Sequence, residues 1–330
     1  MSKKLASLFK ACESGNREAV QAMVDGGADV NASWCGGRLI HVAAKHGNSE
    51  MVGLLIGLGA SVDGKDRLGN TALFLAVVSR EWRAVQRLLE AGADAQMHEP
   101  NAQGLLPFHI AVEHGDFEIV ELLLRKGADC QQRDFLGQTP FGRAVEMRWQ
   151  KAYMLMVELA SDVDAWAGQG ITMLQRAAQY GCADAVRRLL ERGADPNAAN
   201  GVDGQTALHF AAGSGDFECV DLILTAGGKF QADRFGLLPQ NAAIAQGDVG
   251  MLVHLQDREP GAVWGQFFGV QLEDIFAGNP LAREKVTLLH QKRQSQKAEA
   301  GLESIFLDSD SDPARSHGDC LATGRKSLAI

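Results

Sequence analysis

The sequence predicts an all-α repeat solenoid over residues 1–258, built of helix-turn-helix units stacked side by side, and an extension of different character over residues 259–330. Three observations carry that reading. Glycine, or arginine in its place, recurs between short helical patterns at Gly15, Gly47, Arg80, Gly115, Arg148, Gly181, Gly215 and Gly247, at spacings of 32, 33, 35, 33, 33, 34 and 32 residues. A second series, Gly36, Gly69, Gly104, Gly137, Gly170, Gly204 and Gly236, opens each unit after the first. Each unit also has one apolar face and too little mass to bury it, since isolated helices below about 12–15 residues are marginal in water. Such units stack so that each contacts its neighbours, and the 46% hydrophobic content supplies apolar material to all of them.

Unit two shows the local logic. Leu39–His46 is a short helix stopped by Gly47, because glycine tolerates the left-handed conformation that closes a helix. Asn48 caps the next helix by accepting from its free backbone N–H groups. Met51, Leu54, Leu55 and Leu58 then fall at i, i+3, i+4 and i+7 as one apolar stripe, and Gly59 ends it. The same cap position holds Asn16, Asp116, Asp216 and Asp248. First helices open at "NTAL" (70–73), "LLPF" (105–108), "QTPF" (138–141) and "QTAL" (205–208). Threonine can N-cap there, and Pro107, Pro140 and Pro239 take the first helical position, where no N–H is needed.

Units three and five depart from this. "VVSREWRAV" (77–85) puts Arg80–Glu81 in place of the turn glycine and its cap, and "AVEMRWQKAYMLMVELASDV" (144–163) is rich in methionine and puts Arg148 there. Trp82 and Trp149 follow these turns at equivalent positions. Either these units are degenerate, or they re-aim a surface for binding. At the ends, Lys3, Lys4 and Lys10, and Gln240, Asn241 and Gln246, solvate the outer faces as caps do.

At "LIHVAAKHGNSEMVGLLIGLGA" (39–60) and "QTALHFAAGSGDFECVDLIL" (205–224) the chain resembles the ankyrin-repeat family, about eight units in register. The turns "GGADVN" (26–31), "AGADAQ" (91–96), "KGADCQ" (126–131) and "RGADPN" (192–197) carry the same resemblance. It implies a β-hairpin finger on each unit and a stack curving into a concave groove. It also implies that His41, His109 and His209 are structural, tying neighbouring turns by hydrogen bonds. In the family, partners are contacted from the hairpin tips and from exposed positions on the first helices. Carried onto this chain, the tips give Trp34, Arg67, Leu68, Leu105, Phe135, Leu136, Arg234 and Phe235 as partner-binding candidates, and the first helices give Lys45, His46, His114, Met147 and Tyr180. Apolar tips can also fold back onto the next finger. A row of them, rimmed by polar residues, marks an interface.

Charge and motifs exclude several classes. Residues 1–258 carry 24 basic against 31 acidic side chains within a net charge of −9, the wrong sign for generic nucleic-acid binding. No run reaches the roughly 18 apolar residues of a membrane span, and "MSKKLASLFK" has no apolar signal core. The six cysteines are at least 23 residues apart; Cys12, Cys130 and Cys219 fall in core slots and read as buried thiols rather than disulfides or zinc ligands. "HEPN" (98–101) lacks the second histidine of a zinc helix, and "GQGITM" (168–173) misses the last glycine of a dinucleotide loop. In "DSDSDP" (308–313) Pro313 stands where a calcium loop needs glycine.

The extension holds "WGQFFGVQLEDIFAG" (264–278), apolar enough to pack on a repeat, then a basic helical pattern (281–300), with helix to about residue 306 and disorder beyond. Leu272-Glu273-Asp274-Ile275-Phe276 is echoed by Leu302-Glu303-Ser304-Ile305-Phe306, either a coincidental amphipathic pattern or two copies of a docking peptide. The expected function is a non-catalytic protein-interaction module, cytoplasmic and monomeric, with no cofactor, nucleic acid or membrane involved. The alternative is a regulatory or host-directed effector whose extension carries the activity.

Overall fold

The computed structural model describes residues 2–94, 101, 104–164, 166 and 170–258, together with 266–267, 270–271 and 291. The chain divides into two compact units, Met1–Gln246 and Gly247–Ile330. In the first, helices come in pairs: α1 (Ser2–Glu13) and α2 (Arg17–Asp25), α3 (Leu39–Lys45) and α4 (Ser49–Gly57), α5 (Ala72–Val78) and α6 (Trp82–Glu90), α7 (Pro107–His114) and α8 (Phe117–Arg125). The pairs continue with α9 (Pro140–Glu146) and α10 (Gln150–Leu159), α11 (Met173–Gln179) and α12 (Ala183–Glu191), and α13 (Ala207–Ser214) and α14 (Phe217–Thr225); α15 (Pro239–Gln246) closes the unit. The odd-numbered helices pack each on the next from α1 to α15, and the even-numbered ones do so from α2 to α14, giving two helical layers. Leu39, Met51, Leu73, Leu88, Ile119, Leu123, Phe141, Met156 and Met173 are fully buried between and within them, each side chain worth roughly 1.5–3 kcal/mol. Within the second unit lie α16 (Val249–Arg258) and an antiparallel pair, β3 (Gln266–Phe267) with β4 (Val270–Gln271).

The caps follow from the residue types. Asn16, Asn48, Asp216 and Asp248 accept from the N–H groups of Ala19, Met51, Cys219 and Met251 at 2.7–2.9 Å. Thr71, Thr139 and Thr172 do the same for the first helices at 3.1–3.2 Å. Asp116 departs from the expected pattern. Its carboxylate accepts three hydrogen bonds from Arg80 at 2.7–3.0 Å and makes none to its own helix.

All eight inter-helix turn positions have φ between 54° and 75°, including Arg80 at 61° and Arg148 at 54°. The two arginines therefore hold the left-handed conformation at a cost of about 1–2 kcal/mol that glycine does not bear. Trp82 and Trp149 prove not to be equivalent: Trp82 is the first residue of α6, whereas Trp149 is the N-cap of α10 and meets Phe117 edge-on at 6.5 Å. The buried stripe of α4 is Met51, Val52 and Leu55, with Leu54 and Leu58 half-buried, because the helix ends at Gly57.

Unit five departs once more. Elsewhere a glycine follows the second helix at positive φ (Gly27, Gly59, Gly92, Gly127, Gly193, Gly227), and here Ala160 stands there with extended backbone (φ −60°, ψ 129°). Helix α10 runs up to it, ending at Leu159, and Arg192 of the next unit donates to the Val157 carbonyl and, at 2.9 Å, to that of Ala160. A guanidinium thus satisfies carbonyls that a left-handed glycine turn otherwise would.

Candidate partner-binding surface

The segments between units are closed by a device built into three of them. In Asp66-Arg67-Leu68-Gly69, Asp134-Phe135-Leu136-Gly137 and Asp233-Arg234-Phe235-Gly236 the aspartate Oδ1 accepts from the N–H groups two and four residues on, at 2.8 Å in every case. Such Asx turns substitute a side chain for backbone rungs. Only the first finger forms a strand pair among the described residues, β1 (Ser33–Trp34) with β2 (Gly37–Arg38), and Trp166 bridges Thr172. Successive tips are also joined, Arg67 N–H to the Gly36 carbonyl, Gly201 to Gly170 and Arg234 to Asp203, at 2.7–3.0 Å.

The two residues between aspartate and glycine are held out of the fold. Leu68 is 53% exposed, Phe135 65%, Leu136 61% and Phe235 73%, with Arg67 and Arg234 exposed beside them. Trp34 and Leu105 are half-buried, and the Ile171 tip residue is buried. The Phe135 ring lies over Gly104, where a Cβ would come within 3.2 Å of it, so this residue leans on the preceding finger without being covered. Trp166 (47% exposed) and Val202 (67%) extend the apolar row; Trp166 lies over Gly201, which leaves room for its ring. Trp166 escapes a reading that looks only at the two residues before each turn glycine. Tips 102–103 and 168–169 lie outside the described residues, as do the repeated motifs at 272–276 and 302–306 and the acidic run at 308–313.

On the first helices Lys45, His46, His114 and Met147 are exposed, and Tyr180 is half-buried. Below them a deeper position recurs once per unit: Val42, Leu75, Ile110, Arg143, Arg176 and Phe210, all half-buried. Arg143 pairs with Glu113 at 3.4 Å and Glu146 at 3.2 Å. Arg176 bonds Gln179 Oε1 at 2.9 Å and has no carboxylate within ion-pair distance among the described residues. The clefts between second helices lie elsewhere; one of about 570 Å³ between α12 and α14 is lined by Arg187, Leu190, Glu218 and Leu222.

The buried histidines complete the frame. His41 Nε2 lies 2.8 Å from the Gly64 carbonyl and 3.1 Å from that of Asn70, His109 Nε2 3.0 Å from Gln138 O, and His209 Nε2 3.1 Å from Leu237 O. Gln175 takes the same place in unit six, donating to the Ala198 and Gln205 carbonyls at 2.6 and 3.2 Å. Desolvation lowers the pKa of all three histidines. Burial pushes the Cys12 and Cys130 thiols up to about 12, so neither is poised as a thiolate nucleophile.

The model for ankyrin repeats matches residues 8–99, 40–134, 108–200 and 174–260. The chain belongs to the ankyrin-repeat family. The ankyrin array is similar to mouse B-cell lymphoma 3 protein homolog, 34% identical over 164 residues, which are 49% of this chain and 37% of that one. It is similar to human inversin at 27% over 220 residues, 64% of this chain and 20% of inversin. An Arabidopsis thaliana E3 ubiquitin-protein ligase, KEG, is 25% identical over 73% of this chain and 17% of its own length. The crystal structure of the Bcl-3 ankyrin repeat domain superposes with a TM-score of 0.54 at 28% identity, covering 64% of this chain and 96% of that domain. The matched stretch spans only about a fifth to two fifths of the curated relatives named first. Ankyrin arrays mediate protein–protein interaction, which places this chain in a class of binding proteins. No helix among the described residues is long and apolar enough to cross a membrane.

Proposed function

We propose that the ankyrin array is a non-catalytic docking module that holds a protein partner across its finger tips and the exposed side of its first helices. The observation that carries this is the row Leu68, Phe135, Leu136 and Phe235, large apolar side chains held outward by aspartate-closed turns. Burying them needs a second molecule, and a rigid turn removes most of the ordering cost of binding. Aromatic anchors of this kind dominate affinity in protein interfaces. Arg67, Arg234, Lys45, His46, His114, Leu105, Trp34, Met147 and Tyr180 supply the rim and floor in this reading. The buried, unreactive thiols of Cys12 and Cys130 fit a reducing cytoplasm; Gln240, expected to solvate the last outer face, is buried instead, so it lends no support to a monomer.

The test uses the full chain as bait in native lysate, with captured proteins read by mass spectrometry. One variant combines Phe135→Asp and Leu136→Asp; another combines Ile275→Asp and Phe276→Asp in the extension. Helical circular dichroism checks that each is folded. A partner kept by the wild type and by the extension variant and lost by the tip variant is the expected result. Capture that survives at the tips and vanishes with the extension change would overturn it, and the activity would then belong to residues 259–330.

A further inference from the structure

Arg143 and Arg176 occupy the same position on successive first helices, α9 and α11, and differ in what surrounds them. Arg143 has a carboxylate on either side: Glu113 from the preceding unit and Glu146 one turn ahead. For Arg176 the same two places hold Glu146, already committed to Arg143, and the neutral Gln179. Its other neighbour is Tyr180. The Nε atoms of both arginines are buried with no hydrogen-bond partner, so what sets Arg176 apart is the missing carboxylate. A half-buried guanidinium with an unused donor leaves a charge-assisted bond unmade, which burial makes costly. Desolvation lowers the pKa of Arg176 by more than Tyr180 and Glu146 raise it.

Resting on the docking function above, we infer that the floor of units five to seven seats an acidic side chain of the partner, an aspartate or glutamate whose carboxylate lies on the Arg176 guanidinium. The planar fork of arginine matches a carboxylate in two parallel hydrogen bonds. Beside Gln179 and Glu146, this stretch of the layer also carries apolar side chains: Met147 and Tyr180 after successive first helices, half-buried Phe210 one unit on, and Val202 and Phe235 at the next two tips. The partner segment this fits is therefore acidic at one position and carries large apolar residues beside it. The apolar places Val42, Leu75 and Ile110 in units two to four offer no such charge.

The experiment selects a displayed random-peptide library on the full-length protein and repeats the selection on Arg176→Gln. The expected outcome is enrichment of aspartate or glutamate at a fixed distance from an aromatic or leucine on the wild type, with that enrichment lost on R176Q. Selected peptides should bind R176Q on the order of tenfold to a hundredfold more weakly. Gln179→Glu is the companion variant, since it gives Arg176 the internal carboxylate that Arg143 already has; it should fold as well as the wild type and weaken the same peptides. No acidic enrichment, no selectable peptide, or unchanged binding by both variants would each overturn the seat. Preference for phosphoserine over both acids, in a phosphoserine-containing arm, would overturn the carboxylate assignment. Phe235→Asp separates the two readings. Loss on F235D with unchanged R176Q leaves the tips standing and removes the seat, and the converse removes the tips.

Discussion

Units two, four and seven and units three and five meet the same two requirements with different residues. In the first group a glycine makes the left-handed turn (Gly47, Gly115, Gly215), and a histidine (His41, His109, His209) ties the unit to the next finger. In the second group arginine makes the turn and the histidine position holds Phe74 or Gly142, neither of which can make such a bond. The comparison teaches that the repeat consensus is a set of separable solutions. A unit can lose its glycine and its tie together and still keep its helix pair in the stack.

The largest expected effect lies in the histidine ties. His41→Ala removes the bonds to the Gly64 and Asn70 carbonyls and the acceptor of the Arg38 N–H, and although the Asn70 carbonyl keeps the Asp66 N–H, the loss costs about 1–3 kcal/mol. His41→Gln should recover most of that, since Gln175 already makes the equivalent bonds in unit six. Denaturant titration reads both. The same residues set a pH dependence. Because burial lowers their folded-state pKa below the ordinary 6.5, the unfolded chain binds more protons below that value. Their contribution is present above pH 6.5 and is lost as pH falls through the lowered values. Thermal unfolding followed from pH 7 downward should show a falling Tm that His41→Gln, His109→Gln and His209→Gln, combined, make shallower. An unchanged slope in the triple variant would mean that the carboxylates alone govern the acid limb.

Next in size is the substitute at the end of unit five. Arg192→Ala removes both bonds to the α10 carbonyls and should cost about 1–2 kcal/mol. Lysine in the same place should recover less than half, since one ammonium lacks the fork that reaches two carbonyls. If alanine is neutral by chemical denaturation, those carbonyls are satisfied by solvent and the missing glycine at Ala160 needs no compensation.

What was legible in the sequence follows from how far apart the interacting residues lie. Glycine turns, caps and the histidine slot are local or recur at a fixed period, so the repeat and its two helical layers could be read directly. The aspartate-closed tips were also local: an Asp precedes Gly69, Gly137 and Gly236 by three residues, a signal in plain view that a search for apolar tips passes over. Asp116 misled because its residue type suits an N-cap, and only the structure brings Arg80 onto it from 36 positions away. Arg192 on the Val157 carbonyl, 35 positions apart, is of the same kind. The distinction between Arg143 and Arg176 lay half-way: Gln179 in place of a glutamate was readable, and the commitment of Glu146 to Arg143 was not.

The smallest effects give the sharpest test of the comparison, because Arg80 and Arg148 share a backbone conformation and differ in what holds them. The Arg80 guanidinium is bound by Asp116 at 2.7 Å, whereas the position of Asp116 in the unit after Arg148 is Cys182, and the Arg148 guanidinium makes no ion pair among the described residues. Arg148→Gly should therefore relieve left-handed strain with little lost in return, a gain of about 0.5–1 kcal/mol once the greater freedom of glycine in the unfolded chain is counted. Arg80→Gly relieves the same strain and also loses the pair between an exposed guanidinium and the mostly covered Asp116 carboxylate, so its net gain should be smaller than that of Arg148→Gly. In an Asp116→Ala background that pair is already gone, and Arg80→Gly should then stabilise as Arg148→Gly does. A double-mutant cycle by denaturant unfolding measures the difference directly. Equal gains at both turns in the wild-type background would mean that the Asp116 clamp contributes nothing, and that the left-handed arginines are tolerated for the stability of the whole stack rather than held by their neighbours.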